Sequence, residues 1–431
     1  MMRPLLPVPP TTGPATAIYV LIVLLAVGCQ ADGKDPASVR TGAEVLAAND
    51  FAELEGARVG LIVNHTARVD TAHLIDRVDR ASNVELGALF GPEHGLRGTA
   101  GAGEAVTDGR DGRTGAPVYS LYDDTRRPTP SELEGIDALV FDVQDVGARF
   151  YTYITTMGLA MQAAAEADLR FVVLDRPNPL GGTYVSGFAL EPEQQSFVGR
   201  YPIPVAHGLT VGELAQFIKG EQLLPGLQEL DLTVVSMDGW SREMQWPDTG
   251  GEWTAPSPNL PTWETALVYA GMCFFEGVRV NEGRGTDHPF LQVGLPWGEA
   301  AAQAVVDTLQ ARSLPGVSID TTTVTPTSRP EAAPSPRFEG QTLSGFRLRV
   351  TNRRAVRPVE LGVHALHAAY RQAEVENDTG FVSRPSHLTR LAGTERLTTL
   401  LEQGASPEAL IGSWRDEVQS FRDRRTSYLL Y

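Results

Sequence analysis

The chain has 431 residues, 42% of them hydrophobic and 21% charged, with a formal net charge of −17. That is an ordinary globular mixture, long enough for two domains with real cores. The acidic balance and the lack of a basic stripe argue against a nucleic-acid partner and require local arginines for any anionic ligand, while two cysteines, Cys29 and Cys273, are too few for a disulfide framework or a Cys-type zinc site.

Residues 1–28 read as a signal peptide of lipoprotein type. Arg3 is the only charge before an apolar stretch, Ala15 to Gly28, that is too short for a comfortable membrane span. Ala26-Val27-Gly28-Cys29 resembles a bacterial lipobox, with Ala26 where Leu is usual. Acylated Cys29 would then anchor an exported protein to a membrane of the cell envelope, and residues 29–44 would form a polar tether.

Beyond the tether, apolar runs predict strands at 58–64, 84–90, 117–121, 138–143 and 170–174, and helices are predicted at 71–80, from Ser131 and over 154–168. Solidly apolar strands alternating with helices point to a parallel sheet covered on both faces. Polar groups gather just past the strands: Asn64, Glu93-His94, Gln144-Asp145 and Asp175-Arg176-Asn178. Ligands of open α/β sheets bind beyond the carboxyl ends of the strands, so these clusters outline a pocket. Thr210 and Glu213 form a capping box for a helix towards Lys219, and 230–236 reads as a strand. Trp240, Trp246, Trp253 and Trp263 lie close together, and at least two are expected to be structural. From about Asp287 the chain becomes a second, smaller α/β unit, with helices expected at 299–312, 361–374 and 407–422 and a strand at 347–351.

No Gly-x-Ser-x-Gly elbow, Walker A loop or His-Glu-x-x-His motif is present. The run Gly98 to Gly103 is not spaced as a dinucleotide fingerprint. His65, His94 and His207 have no zinc-signature spacing, though a metal site with Asp142 and Glu93 is one alternative. Carboxylate chemistry remains, with Glu93, Asp142, Asp145 and Glu282 as candidates. Three have a plainer reading: Glu93 as a loop salt bridge with Arg97, Asp145 as a cap or turn residue, and Glu282 as a salt bridge to Arg284 or Arg279. Tyr151 and Tyr153 offer an aromatic wall beside Arg149, or simply a hinge between strand and helix.

Several motifs occur in order: Phe90-Gly-Pro-Glu-His-Gly95, Phe141-Asp-Val-Gln-Asp-Val-Gly147 followed by Arg149-Phe-Tyr-Thr-Tyr153, Asp175-Arg-Pro-Asn-Pro179, Pro256-Ser-Pro-Asn259 and Glu282-Gly-Arg-Gly-Thr286. Ile411-x-x-Trp414 and the Phe421 to Leu429 stretch follow. Together they resemble the bacterial exo-β-N-acetylmuramidase family (NamZ type), long known only as a domain of unknown function. The resemblance implies a Rossmann-like, mostly parallel sheet domain (45–286), a smaller C-terminal α/β domain (287–431) and a site in the cleft between them. It implies removal of N-acetylmuramic acid from the non-reducing end of peptidoglycan fragments, by hydrolysis of a β-1,4 bond to N-acetylglucosamine, without metal or organic cofactor. By matching motif, Glu93 is the candidate general acid, His94 its neighbour and Glu282 the second carboxylate. Asn64, Asp142, Gln144, Asp145, Tyr151, Tyr153, Asn178, His207 and Asn259 are candidate substrate-binding residues. Arg149, Arg176 and Arg284 are candidates to meet the lactyl carboxylate of muramic acid. The rival readings are a peptidoglycan-binding lipoprotein without turnover and a metal-dependent hydrolase.

Overall fold

The apolar runs of the first half pair side by side in the computed structural model, which describes residues 38–93, 95–96, 109–122 and 126–431 together with positions 10 and 13. They form β1 (Arg58–Val63), β2 (Glu85–Gly91), β3 (Pro117–Ser120), β4 (Ala138–Asp142), β5 (Arg170–Leu174) and β6 (Leu232–Val235). All pair in parallel, in the order β3-β2-β1-β4-β5-β6, and the short strand Gly109–Arg110 runs antiparallel to β3 at one edge. The chain builds outward from β1 through β2 to β3, then crosses back to lay β4 on the other side of β1. That reversal makes the β1/β4 boundary the switch point of the sheet, where a crevice opens past the strand ends.

The period of two along each strand sorts the core into two layers. Ile62, Phe90, Leu139, Phe141, Phe171 and Val173 meet the helices Tyr153–Glu166 and Val211–Gly220 on one face. Leu61, Val63, Leu89, Val140, Val172 and Leu174 meet the helices Gly42–Ala48 and Leu74–Val78 on the other. Each such side chain removed from water contributes roughly 1.5–3 kcal/mol before the entropy of ordering is set against it.

Some local expectations are corrected. The tether ends earlier than residue 44: Arg40 bridges Asp238, and Thr41 caps Gly42–Ala48 through a capping box with Glu44. Gly42 is required there, since a Cβ would lie 2.4 Å from the backbone nitrogen of Asp175. No helix starts at Ser131; Glu132 instead accepts the Thr129 N–H at 2.7 Å and closes a turn. The helix expected over 71–80 is only Leu74–Val78, because 72–73 pair with 68–69 as a tiny hairpin. The segment 407–422 breaks into Pro407–Gly412 and Arg415–Arg425, and between them Trp414 turns inward onto Phe188, with ring centroids 4.9 Å apart. Trp240, Trp246 and Trp263 are buried and Trp253 packs edge-on against Trp246, so the tryptophans are structural.

The later part of the chain forms a three-stranded antiparallel sheet, with Leu343–Val350 between Gln292–Leu295 and Val317–Val324. Helix Pro358–Val375 crosses helix Trp263–Met272 so closely that a Cβ on Gly271 would lie 2.0 Å from the Pro358 carbonyl oxygen. Phe150, Phe188 and Val205 share one continuous apolar cluster with Phe346, Leu366 and Trp414, which ties this sheet and its helices to the loops above the parallel sheet.

Candidate active site

Four of the polar clusters read from the sequence do meet the carboxyl edge of the parallel sheet. At the end of β1, Asn64 Oδ1 accepts from the Thr66 N–H (3.0 Å) and hydroxyl (2.6 Å). Thr66 Oγ1 in turn accepts the Gln144 N–H at 3.0 Å, fastening the end of β1 to the end of β4 across the switch point. Gln144 Nε2 donates to the carbonyls of Asp145 (2.8 Å) and Pro177 (2.9 Å). Asp145 Oδ2 accepts the Gly147 N–H at 2.6 Å and faces His207 Nε2 at 3.7 Å.

Glu93 follows β2 and is half-buried. The Thr152 hydroxyl donates to its Oε2 at 3.2 Å. The Tyr153 hydroxyl donates to the Pro256 carbonyl (3.0 Å) and lies 3.4 Å from the Glu93 carbonyl oxygen. Tyr151 stands edge-on to Tyr153, centroids 5.0 Å apart. Burial, and after it the Glu93 charge, pushes the Tyr153 phenol well above its ordinary range. Tyr151 is raised by burial, then by its tyrosine neighbours, Glu93 and Asp145. Both phenols therefore stay protonated donors at neutral pH.

Several expected ligand groups are occupied with the fold itself. Arg149 is fully buried and donates to the carbonyls of Phe188 (2.7 Å), Ile203 (3.0 Å) and Leu391 (2.9 Å), so it fastens loops and does not await an anion. Burial lowers its guanidinium to about 9. Arg176 grips Asp142 with two bonds, Nε to Oδ1 at 2.5 Å and Nη2 to Oδ2 at 3.0 Å, and both side chains are buried. The pair pins β4 to β5, and each charge satisfies the other. Arg176 also borders a cavity of about 160 Å³ together with Thr66, Gln144 and Trp246. Asn178 donates to the Leu209 carbonyl (2.9 Å) and accepts the Leu180 N–H (3.0 Å), and Asn259 donates to Ala332 O at 2.6 Å. His65 Nε2 is 2.7 Å from the Ala255 carbonyl oxygen, and His207 Nδ1 accepts the Leu209 N–H. His94, like Cys29 and Arg97, lies outside the described residues.

Glu282 sits in a separate charged cluster. Its Oε1 is 3.3 Å from Arg284 Nε, whose Nη2 meets Glu276 at 2.6 Å; Glu276 also meets His387 Nε2 at 3.1 Å. Burial raises the Glu282 carboxyl against the opposing pull of Arg284. Among the described residues no hydrogen bond or ion pair joins Glu282 to Glu93. A run of rings links the two regions: Tyr151 to Tyr269 at 6.1 Å, Tyr269 to Phe290 at 4.9 Å, and Arg284 over Phe290 at 5.1 Å. Of the three candidate cations Arg284 is the most open, its side chain 28% exposed.

Two residues at this edge were not singled out from the sequence. Thr66 lies two positions past Asn64, and nothing local marks its bond to Gln144. Thr152 carried a signal that pointed elsewhere: a threonine just before a helix reads as a cap, yet its side chain makes no capping bond and turns to Glu93.

A half-buried carboxyl group held by a hydroxyl, a second carboxylate across the switch point and an aromatic wall between them suit acid–base work on a sugar. The N-terminal model of exo-β-N-acetylmuramidase NamZ matches residues 59–264, and its C-terminal model matches 267–431. Peptidoglycan β-N-acetylmuramidase NamZ of Bacillus subtilis (strain 168) is 40% identical over 425 residues, covering 96% of this chain and 98% of that protein. A crystal structure of a DUF1343 family protein from Bacteroides fragilis NCTC 9343 superposes with a TM-score of 0.83 at 36% identity, covering 91% of this chain and 99% of the other. A second from the same organism gives 0.73 at 31%, covering 92% and 99%. The chain belongs to the exo-β-N-acetylmuramidase NamZ family.

Proposed function

We propose that this chain is an exo-acting glycoside hydrolase that releases N-acetylmuramic acid from the non-reducing end of peptidoglycan fragments, cleaving the β-1,4 bond to N-acetylglucosamine. The activity is that named for the Bacillus subtilis relative, which is similar over almost its whole length. The observation that carries the reading is the seat of Glu93 at the carboxyl edge beside the switch point, with Thr152 Oγ1 on its Oε2 and two protonated phenols alongside. There Glu93 is the general acid that protonates the leaving glycosidic oxygen.

The test is a paired assay with a chromogenic N-acetylmuramide and the matching N-acetylglucosaminide. Release from the muramide only is expected. Glu93→Gln should lose turnover on the disaccharide by about 10²–10⁴-fold, the usual share of a general acid, while still binding ligand. A binder without turnover has no rate to lose, and release from neither substrate sinks the reading.

Export and lipid anchoring through Cys29 belong to the same proposal, resting on the Ala26 to Cys29 motif. Metabolic labelling with a tagged fatty acid should mark the wild type and leave Cys29→Ser unmarked. A label on both, or on neither, refutes the anchor.

A further inference from the structure

Asp145 occupies the switch point with one carboxylate oxygen tied and the other bare. Oδ2 accepts the Gly147 N–H at 2.6 Å, whereas Oδ1 is buried without a partner. Gly147 is required at that bond: its φ is +76°, and a Cβ would lie 2.4 Å from Asn178 Oδ1. On the same side, His207 Nδ1 accepts the Leu209 N–H at 3.2 Å. That bond assigns the imidazole proton to Nε2, the nitrogen 3.7 Å from Asp145 Oδ2. The His207 carbonyl accepts from Arg425 Nη1 at 2.9 Å, so the backbone that carries the ring is held in place.

The surroundings share one unusual property. Gln144 Oε1 and His207 Nε2 are both buried without hydrogen-bond partners, as is Asp145 Oδ1. Protein interiors rarely leave such groups unpaired, and three of them gathered past the end of β4, with His207 Nε2 3.7 Å from Asp145, point to a polar ligand. Glu93 belongs to the same neighbourhood, because its charge and that of Asp145 act on the same two phenols. Glu282 Oε2 is likewise buried without a partner, but Glu282 lies elsewhere: its charged neighbours are Arg284, Glu276 and Arg337.

We propose that Asp145, and not Glu282, is the second carboxylate of the reaction, acting as general base, and that His207 is its positioning residue. This rests on the muramidase reading above. A water oxygen bonds to the anomeric carbon as Asp145 Oδ1 takes one of its protons. The bond from that carbon to the glycosidic oxygen breaks, its electron pair stays on the oxygen, and that oxygen takes the proton of Glu93. The remaining water proton stays on the new anomeric hydroxyl. Glu93 ends ionised and Asp145 protonated, and exchange with solvent resets both. Attack opposite the leaving group makes the first product the α anomer.

The experiment compares wild type, Asp145→Asn, Glu282→Gln and His207→Gln on a GlcNAc-linked muramide and on an aryl muramide whose good leaving group needs no acid. Asp145→Asn should lose kcat by at least about 100-fold on both substrates. Glu282→Gln should stay within about tenfold of wild type, a change of less than one interaction's worth of barrier. His207→Gln should lose kcat with little change in KM and move the acidic limb of the pH profile. Azide should restore turnover to Asp145→Ala as the α-glycosyl azide, which a merely structural role would not allow. The anomer first released by wild type, read by proton NMR, needs no variant to fold and should be α. A β product, an Asp145→Asn enzyme within about tenfold of wild type, or a Glu282→Gln loss as deep as that of Glu93→Gln overturns the assignment. A wild type silent on both muramides would instead overturn the muramidase reading beneath it.

Discussion

The Tyr431 hydroxyl donates a 2.7 Å hydrogen bond to the buried Asp175 carboxylate, which immediately precedes Arg176 at the carboxyl edge of the sheet. Thr210 Oγ1 (2.8 Å), the Gly212 N–H (2.8 Å) and the Arg176 N–H (2.9 Å) point at the same carboxylate. Burial nevertheless raises it from 3.8 to about 6. A carboxyl group whose folded value lies above its unfolded value holds an extra proton in the folded state, so its contribution to stability falls as pH rises from about 4 to about 6. The Tyr431 donor matters most once Asp175 is ionised. Tyr431→Phe should therefore cost about 2 kcal/mol above pH 7, the scale of a hydrogen bond to a charged group, and clearly less at pH 5. Urea unfolding at the two values checks this; an equal loss at both means Asp175 keeps one protonation state throughout.

The charged cluster around Glu276 has the opposite sign. Despite burial, Arg284 and His387 hold the Glu276 carboxyl down at about 2, below its ordinary 4.5. Its stabilisation is present in full above about pH 4.5 and is lost as pH falls towards 2. Glu276→Gln should flatten the acid limb of the stability profile. Glu276→Ala should cost about 3 kcal/mol at pH 7, the lower end for breaking a buried pair, because Arg284 is partly open to solvent. Thermal unfolding between pH 3 and 7 measures both.

These long-range pairings explain which parts of the molecule were legible in the sequence. The strands were, because a strand buried on both faces must be apolar over its whole length, and because the residue past its end must turn polar. The Thr210 and Glu213 capping box was, because a helix start is written within four residues. The occupancy of each polar group was not. Arg149 meets carbonyls 39, 54 and 242 positions away, and Arg176 meets a carboxylate 34 positions away. No local pattern distinguishes such a spent cation from one that awaits a ligand. The same holds for the two buried carboxylates: Asp145 follows Gln144 and Glu282 follows Asn281, each within two residues of a glycine, and only the folding of the chain gives them different surroundings.

Arg149 then carries a prediction of its own. Arg149→Met strands three carbonyl acceptors, two of them on opposite sides of the loop that follows Phe188, and should cost about 3–5 kcal/mol. Arg149→Lys keeps one charge and loses the fork, so it should also lower the melting temperature. In the folded fraction its KM for the muramide should change by less than about threefold, since no uniform substrate binding is removed. A rise of about tenfold or more, with the melting temperature unchanged, would mean that Arg149 meets the lactyl carboxylate after all.

Thr152 gives the most selective probe of the Glu93 seat, because it can be emptied without disturbing a helix cap. The side chain makes no capping bond to Tyr153–Glu166, and its hydroxyl is the donor to Glu93 Oε2. Thr152→Val keeps the shape and removes only that bond. The Tyr153 hydroxyl continues to hold the Pro256 carbonyl, so the loop beneath should not move. The expected result is a kcat lower by about tenfold, one modest hydrogen bond's worth of barrier, with KM and melting temperature close to wild type. Thr152→Ser, which restores the hydroxyl, should recover most of the rate. If Thr152→Val is as fast as wild type, the orientation of the Glu93 carboxyl is set by its backbone alone. If it melts early and loses rate in proportion, Thr152 belongs to the packing of the helix and not to the chemistry at its end.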